Sequence, residues 1–287
     1  MRRLTGWVLA WGCMLGVHAQ EFVDAPYVST PPSVVEAMLK LGGVGANDYV
    51  IDLGSGDGRI VHTAAQRFGA RGHGIELDPN LVRAANREAQ RLGIAARARF
   101  VTENIFHADL SPATVITMYT GSSVNRRMRP LLIKLRPGTR VVSHEFDLGN
   151  WEPDVKINVA APGKRYGEPR ADVLMWYIPA DFSGEWEWRL PAADGQEETV
   201  RLEFEQTYQK LTGKGMIAGR AAGALKAEIR GDAISFTLGA THEFRGRIAA
   251  GVIDGTVSVA GRPATPWRAA RIRAGQLQIE AAANSFE

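Results

Sequence analysis

The stretch Val50-Ile51-Asp52-Leu53-Gly54-Ser55-Gly56-Asp57-Gly58-Arg59 decides the fold. Tyr49 to Leu53 is short and nearly all apolar, as expected of a parallel strand buried on both faces. Three glycines spaced by two follow at once, and a helix is predicted from about Arg59 to Phe68. Glycines let the chain turn sharply and bring backbone N–H groups close to a ligand. The helix N-terminus behind them adds roughly half a positive charge.

Such a loop can hold a phosphate, so the ligand classes have to be separated. No lysine follows the last glycine, which argues against a nucleoside triphosphatase. Asp52 and Asp57 place carboxylates where a pyrophosphate would lie, and like charges repel. S-adenosylmethionine carries an ammonium, a sulfonium and no phosphate, so the acidic loop suits it better than a nicotinamide dinucleotide. An oxidoreductase using that dinucleotide stays as the weaker alternative.

Outward from the loop, the pattern alternates. A helix is predicted over Ser33–Leu41, then strands at Gly72–Leu77, Ala98–Thr102, Thr114–Tyr119 and Thr139–Phe146. Helices over Pro79–Leu92 and Val124–Leu135 fall between them, and Lys156–Ala160 and Val173–Ile178 can extend the sheet. This alternation predicts an α/β fold, a Rossmann-like doubly wound parallel sheet. From Asp181 onward the pattern becomes period-two runs, such as Trp186-Glu187-Trp188 and Phe244-Arg245-Gly246-Arg247-Ile248. That change predicts a small antiparallel all-β barrel or sandwich, giving domains at 20–180 and 181–287.

Residues 1–19 read differently. Arg2 and Arg3 precede an apolar run from Leu4 to Val17, and Val17-His18-Ala19 has the small-x-small form of a signal-peptidase site. The expectation is a cleaved signal peptide and an exported, periplasmic protein, with no stable membrane span after its removal. A retained anchor, a lipoprotein cleaved before Cys13 and a twin-arginine signal are alternatives. Cys13 is the only cysteine, so a chain starting near Gln20 has no thiol chemistry. With 34 Lys and Arg against 31 Asp and Glu, the net charge is +3 and the arginines are scattered. No nucleic-acid partner is expected from such a surface.

The strand ends supply the remaining candidates. In Gly74-Ile75-Glu76-Leu77-Asp78-Pro79, Glu76 can accept both hydroxyls of a ribose, or can simply begin a helix that Asp78 caps. Asn104, with Glu103 next, can bond an adenine amino group, or serve as a turn residue. Ser55, Gly58, Leu77 and Ile105 complete the candidate cofactor set. No histidine, cysteine or carboxylate cluster has metal-ligand spacing, so no metal is expected.

Together these residues look like a class I S-adenosylmethionine-dependent methyltransferase. More narrowly, Tyr27-Val28-Ser29-Thr30-Pro31, Asp52 to Val61 and Ser143-His144-Glu145-Phe146-Asp147 resemble the small protein-lysine methyltransferases that modify the adenine nucleotide translocase and the ATP synthase c-subunit. The resemblance spans roughly Asp24 to Asp154. It implies that Asp52, Gly54, Gly56 and Glu76 contact the cofactor and that Tyr27 and Thr30 lie over its methionine end. Tyr119-Thr120-Gly121-Ser122-Ser123-Val124-Asn125 departs from the more apolar, proline-containing stretch the family implies beside the acceptor.

Methyl transfer is an in-line displacement, so alignment and exclusion of water matter more than a base. A lysine acceptor must still lose its proton. His144, Glu145 and Asp147, at the end of the last parallel strand, are the acid-base candidates, with Tyr119 lining the acceptor pocket. His144 and Tyr119 could equally be packing residues, and Trp151 either covers the pocket or fills the core. The expected function is thus methyl transfer to a protein, with lysine the acceptor that the resemblance implies. The alternative is an exported scaffold whose β domain binds a ligand. Oligomeric state is not legible.

Overall fold

The computed structural model describes residues 28–191, 196–217, 219–221, 225–239, 241–259 and 263–279. The expected signal segment and Tyr27 lie outside them.

Helix α1 (Pro32–Leu41) begins after Pro31 and ends at Gly42, the backbone then turning through Gly43 at φ +57°. The first sheet follows the expected alternation: β1 (Tyr49–Leu53), α2 (Arg59–Arg67), β2 (Arg71–Glu76), α3 (Pro79–Arg91), β3 (Ala98–Thr102), β4 (Val115–Met118), α4 (Ser122–Leu132) and β5 (Arg140–His144). Strands β6 (Val155–Ala160) and β7 (Arg170–Tyr177) close the series as a hairpin. The sheet order is β3-β2-β1-β4-β5-β7-β6, parallel through β5. Strand β7 runs antiparallel, inserted between β5 and β6.

Neighbouring residues on each central strand face opposite layers, which is why these runs are apolar throughout. Val50, Val115 and Val142 meet α1 through Val35 and Met38, while Ile51, Ile116 and Val141 meet α4 through Met128 and Leu132. The strand order leaves the carboxyl ends of β1 and β4 adjacent where the order reverses. Open α/β sheets place ligands at that crevice.

The second sheet is a single antiparallel one with strands β8 (Gly184–Pro191), β9 (Glu197–Thr207), β10 (Lys210–Ile217), β11 (Arg220–Ala221), β12 (Lys226–Arg230), β13 (Ala233–Leu238), β14 (His242–Ala249), β15 (Val252–Val259) and β16 (Thr265–Ala274). Its order is β11-β10-β9-β8-β16-β15-β14-β13-β12. It curls as a half-barrel around Trp186, Trp188, Phe204, Phe236, Phe244 and Trp267. Its two ends meet by side chains, Leu225 filling the space over Gly213.

The two sheets are joined by a specific contact. Trp151, wholly buried, stacks flat on Tyr208 with ring centroids 4.7 Å apart. The Trp151 carbonyl accepts from Trp176 Nε1 at 2.8 Å. Trp151 is therefore core, the second of its two expected roles.

Candidate functional site

Among the described residues, two openings stand out. A wide cleft of about 1760 Å³ lies between the half-barrel and the first sheet, at Asp154 and Tyr177. Tyr177 pairs with Arg140, the first residue of β5, so this cleft sits at the amino ends of the parallel strands. The smaller cavity, about 270 Å³, opens at their carboxyl ends. Position and chemistry favour the smaller one.

The glycine loop forms its floor. Gly54 has φ +70°, and a Cβ there would lie 2.9 Å from Thr120 Cγ2 at the end of β4. Any side chain would therefore fill the cavity. Gly58, at φ +82°, serves packing instead: a Cβ would meet the Phe100 ring at 2.5 Å and Ala85 Cβ at 2.9 Å. Gly58 and Gly56 do not line the cavity; the Gly56 N–H donates to Glu76 Oε2 at 2.9 Å. Ser55 does line it, with its hydroxyl buried and without a protein partner.

Asp52 and Glu76 both line the cavity. Asp52 Oδ1 accepts from Thr117 Oγ1 at 2.7 Å. Burial pushes its carboxyl up to about 7; the Thr117 hydrogen bond opposes the shift, and the charges of Asp57 and Glu76 add to it. Glu76 is held by backbone alone, Oε1 accepting from the N–H groups of Leu77 at 2.8 Å and Asp78 at 3.1 Å. Asp78 also caps α3 through the Asn80 N–H, so ribose seat and helix start coexist. Leu77, 61% exposed at the rim, leaves an apolar face bare where an aromatic base would cover it. Asn104 and Ile105 line the same end; Asn104 Oδ1 accepts from the Phe106 N–H at 3.0 Å.

The far end is built from residues distant in sequence. Thr30 lines the cavity and its hydroxyl lies 3.2 Å from His144 Nδ1, a contact spanning 114 positions. His144 is wholly buried and stacks on Tyr119 with centroids 3.9 Å apart. Burial drives its pKa down to about 4, the nearby Glu145 charge opposing and Lys164 adding, so the ring is neutral. Tyr119 lines the cavity, its hydroxyl pKa raised by burial and then by Glu145.

None of the three acid-base candidates lines the cavity, whereas Tyr119, expected at the acceptor pocket, does. His144 lies behind it, Glu145 is ion-paired with Lys164, and Asp147 is exposed, accepting from the Gly149 N–H at 2.9 Å. A neutral histidine stacked behind the wall positions Thr30 and Tyr119 rather than taking a proton.

Several lining residues were not singled out in the sequence. Arg59 bonds Asp57 Oδ1 through Nε at 2.9 Å and the Thr30 carbonyl through Nη1 at 2.8 Å, clasping the amino-terminal segment to the loop. Its place two residues after Asp57 was the only local signal. Arg127 lies over the Phe106 ring at 4.3 Å. Behind the wall, Asn125 of α4 is wholly buried and donates to Ser143 Oγ at 3.1 Å and to the Phe146 carbonyl at 2.9 Å. It also accepts from Thr120 Oγ1 at 2.8 Å. The segment that departs from the family pattern thus ties β4 to the chain beyond β5.

Comparison with known proteins gives the family. The family model of the ANTKMT methyltransferase domain matches residues 52–155. A protein-lysine N-methyltransferase of Saccharolobus islandicus (strain REY15A) is 45% identical over 136 residues, which is 84% of that protein and 47% of this chain. The chain belongs to this methyltransferase family. The mouse adenine nucleotide translocase lysine N-methyltransferase is 35% identical over 133 residues, 57% of its length and 46% of this chain. A crystal structure of an RNA methyltransferase from Salinibacter ruber, in complex with S-adenosyl-L-homocysteine, shares 46% identity at a TM-score of 0.50. It covers 54% of this chain and 96% of the other.

This methyltransferase uses S-adenosylmethionine, and the cavity's own chemistry fits it. Asp52 and Glu76 set two carboxyl groups in the wall that a cationic ligand would face. Glu76 offers a ribose seat, and Leu77, Ile105 and Asn104 surround the adenine end. A non-catalytic scaffold and a nicotinamide-dependent oxidoreductase draw no support from these relatives. Among the described residues no helix is long and apolar enough to cross a membrane, and none form a group of three metal-ligating side chains.

Proposed function

We propose that this methyltransferase acts on the lysine side chain of a protein. The observation that carries the reading is the 45% identity to the Saccharolobus islandicus protein-lysine N-methyltransferase over 84% of that enzyme. The bound cofactor supplies a methyl carbon already activated by the sulfonium. The chain's own residues have three tasks. Asp52 and Glu76 orient the donor, Arg59 and His144 fix Thr30 at its far end, and Tyr119 walls the acceptor side. The amine approaches past the Tyr119 ring, which is backed by a neutral histidine, surroundings that favour its unprotonated, nucleophilic form.

The decisive experiment offers purified protein and labelled S-adenosylmethionine to a protein fraction and to total RNA side by side. The expected result is label in protein, located on lysine by mass spectrometry. Label confined to RNA, as the description of the Salinibacter ruber protein would suggest, overturns the reading. We further propose that residues 1–19 direct export to the periplasm. Amino-terminal sequencing of the protein from a periplasmic fraction should begin near Gln20.

A further inference from the structure

The end of β5 carries a strained turn that the sheet itself does not require. Glu145 has φ +63°, the left-handed region that disfavours any residue with a Cβ. The Phe146 N–H bonds the His144 carbonyl at 2.8 Å, closing a three-residue γ-turn around Glu145. With a positive central φ this is the rare, strained form of that turn. Strain of this kind persists only where its surroundings enforce it, and it gathers at ligand sites.

The turn has two consequences. His144 and Phe146 both stack on Tyr119, at centroid separations of 3.9 and 5.6 Å, and Tyr119 walls the cofactor cavity. Glu145 meanwhile meets Lys164 Nζ, from the loop that joins β6 to β7. The Lys164 side chain is only 11% exposed and that of Glu145 27%, so this pair, like Arg140–Asp48, is sheltered, in contrast to exposed pairs such as Arg189–Glu197. The ammonium also donates to the Arg170 carbonyl at 2.8 Å. A sheltered carboxylate, a backbone carbonyl that already accepts from an ammonium and an aromatic stack at the acceptor wall are the groups that recognise an alkylammonium.

We propose that Glu145 is the residue that selects a lysine acceptor, by receiving its ammonium before transfer, and that Lys164 is a resident occupant displaced as the substrate enters. This rests on the lysine reading above. A pair that merely pins the hairpin would respond alike to loss of either partner. A seat with an occupant responds oppositely: Lys164→Gln vacates it and Glu145→Gln abolishes it.

The test titrates the full chain, saturated with S-adenosylhomocysteine, with Nα-acetyl-lysine methylamide by calorimetry. Lys164→Gln should bind the probe severalfold more tightly than the unaltered protein, and Glu145→Gln severalfold more weakly, with cofactor affinity unchanged in both. In turnover the same variants should lower and raise KM for a lysine substrate, with smaller changes in kcat. Equal shifts in one direction, or no shift, overturn the proposal. If a single variant fails to fold, the charge swap Glu145→Lys with Lys164→Glu decides: a clasp is restored and a seat is not, so recovery of wild-type KM sinks the idea. Opposite shifts in probe binding without methylation of any lysine would instead fault the lysine reading and leave the ammonium seat standing.

Discussion

Cofactor affinity should rise with pH because of one carboxyl group. Asp52 is 2% exposed, and its burial, with the charges of Asp57 and Glu76 beside it, holds the carboxyl at about 7 despite the Thr117 hydrogen bond. A cationic ligand binds the ionised form, so the apparent dissociation constant scales inversely with the fraction ionised in the free protein. Between about pH 6 and about pH 8 that fraction rises roughly tenfold, so S-adenosylmethionine should bind about tenfold more tightly at the upper value. Calorimetry in buffers of different ionisation enthalpy should also detect release of a proton on binding at the lower pH. The folded pKa lies above the unfolded one, so the empty protein holds the extra proton between about pH 4 and about pH 7 and loses stability as pH rises through that window. Asp52→Asn should accordingly melt higher than wild type at about pH 8 without cofactor, and should lose the pH slope of binding. A flat affinity profile in the wild type, or an unchanged slope in Asp52→Asn, would show the reasoning wrong.

Four further outcomes follow from the packing of Gly58, His144 and Trp151. Gly58→Ala forces a Cβ into the Phe100 ring at φ +82° and should cost about 2–3 kcal/mol, read as a lower urea midpoint with unchanged slope. His144, neutral above its depressed pKa of about 4, should contribute no limb to the kcat/KM profile between about pH 5 and about pH 8. A limb in that range that vanishes in His144→Asn would restore it as the base. Because its unfolded form takes up the proton first, the same residue should make stability fall as pH drops from about 6.5 to about 4. Trp151→Ala removes a wholly buried ring stacked on Tyr208 and should cost about 3–5 kcal/mol by chemical denaturation.

Much of the cofactor half was legible from local pattern. The strand, glycine loop and helix of residues 50–67 form one continuous segment, and β2 follows it, so Asp52 and Glu76 had to end side by side once the sheet was parallel. The predicted strand Thr139–Phe146 was too long, ending instead at His144, because the γ-turn at Glu145 is invisible to a two-residue periodicity.

The chain alone determined the alternation of elements, the acidic glycine turn and the change to antiparallel runs after Asp181, since hydrophobic period and turn chemistry act over a few residues. Tertiary structure decided the rest: β7 entering between β5 and β6, Thr30 reaching His144, Asn125 holding Phe146, and Lys164 meeting Glu145. Those contacts depend on which faces are buried together and on strand register. Such long-range terms leave no periodic trace in the residues that make them.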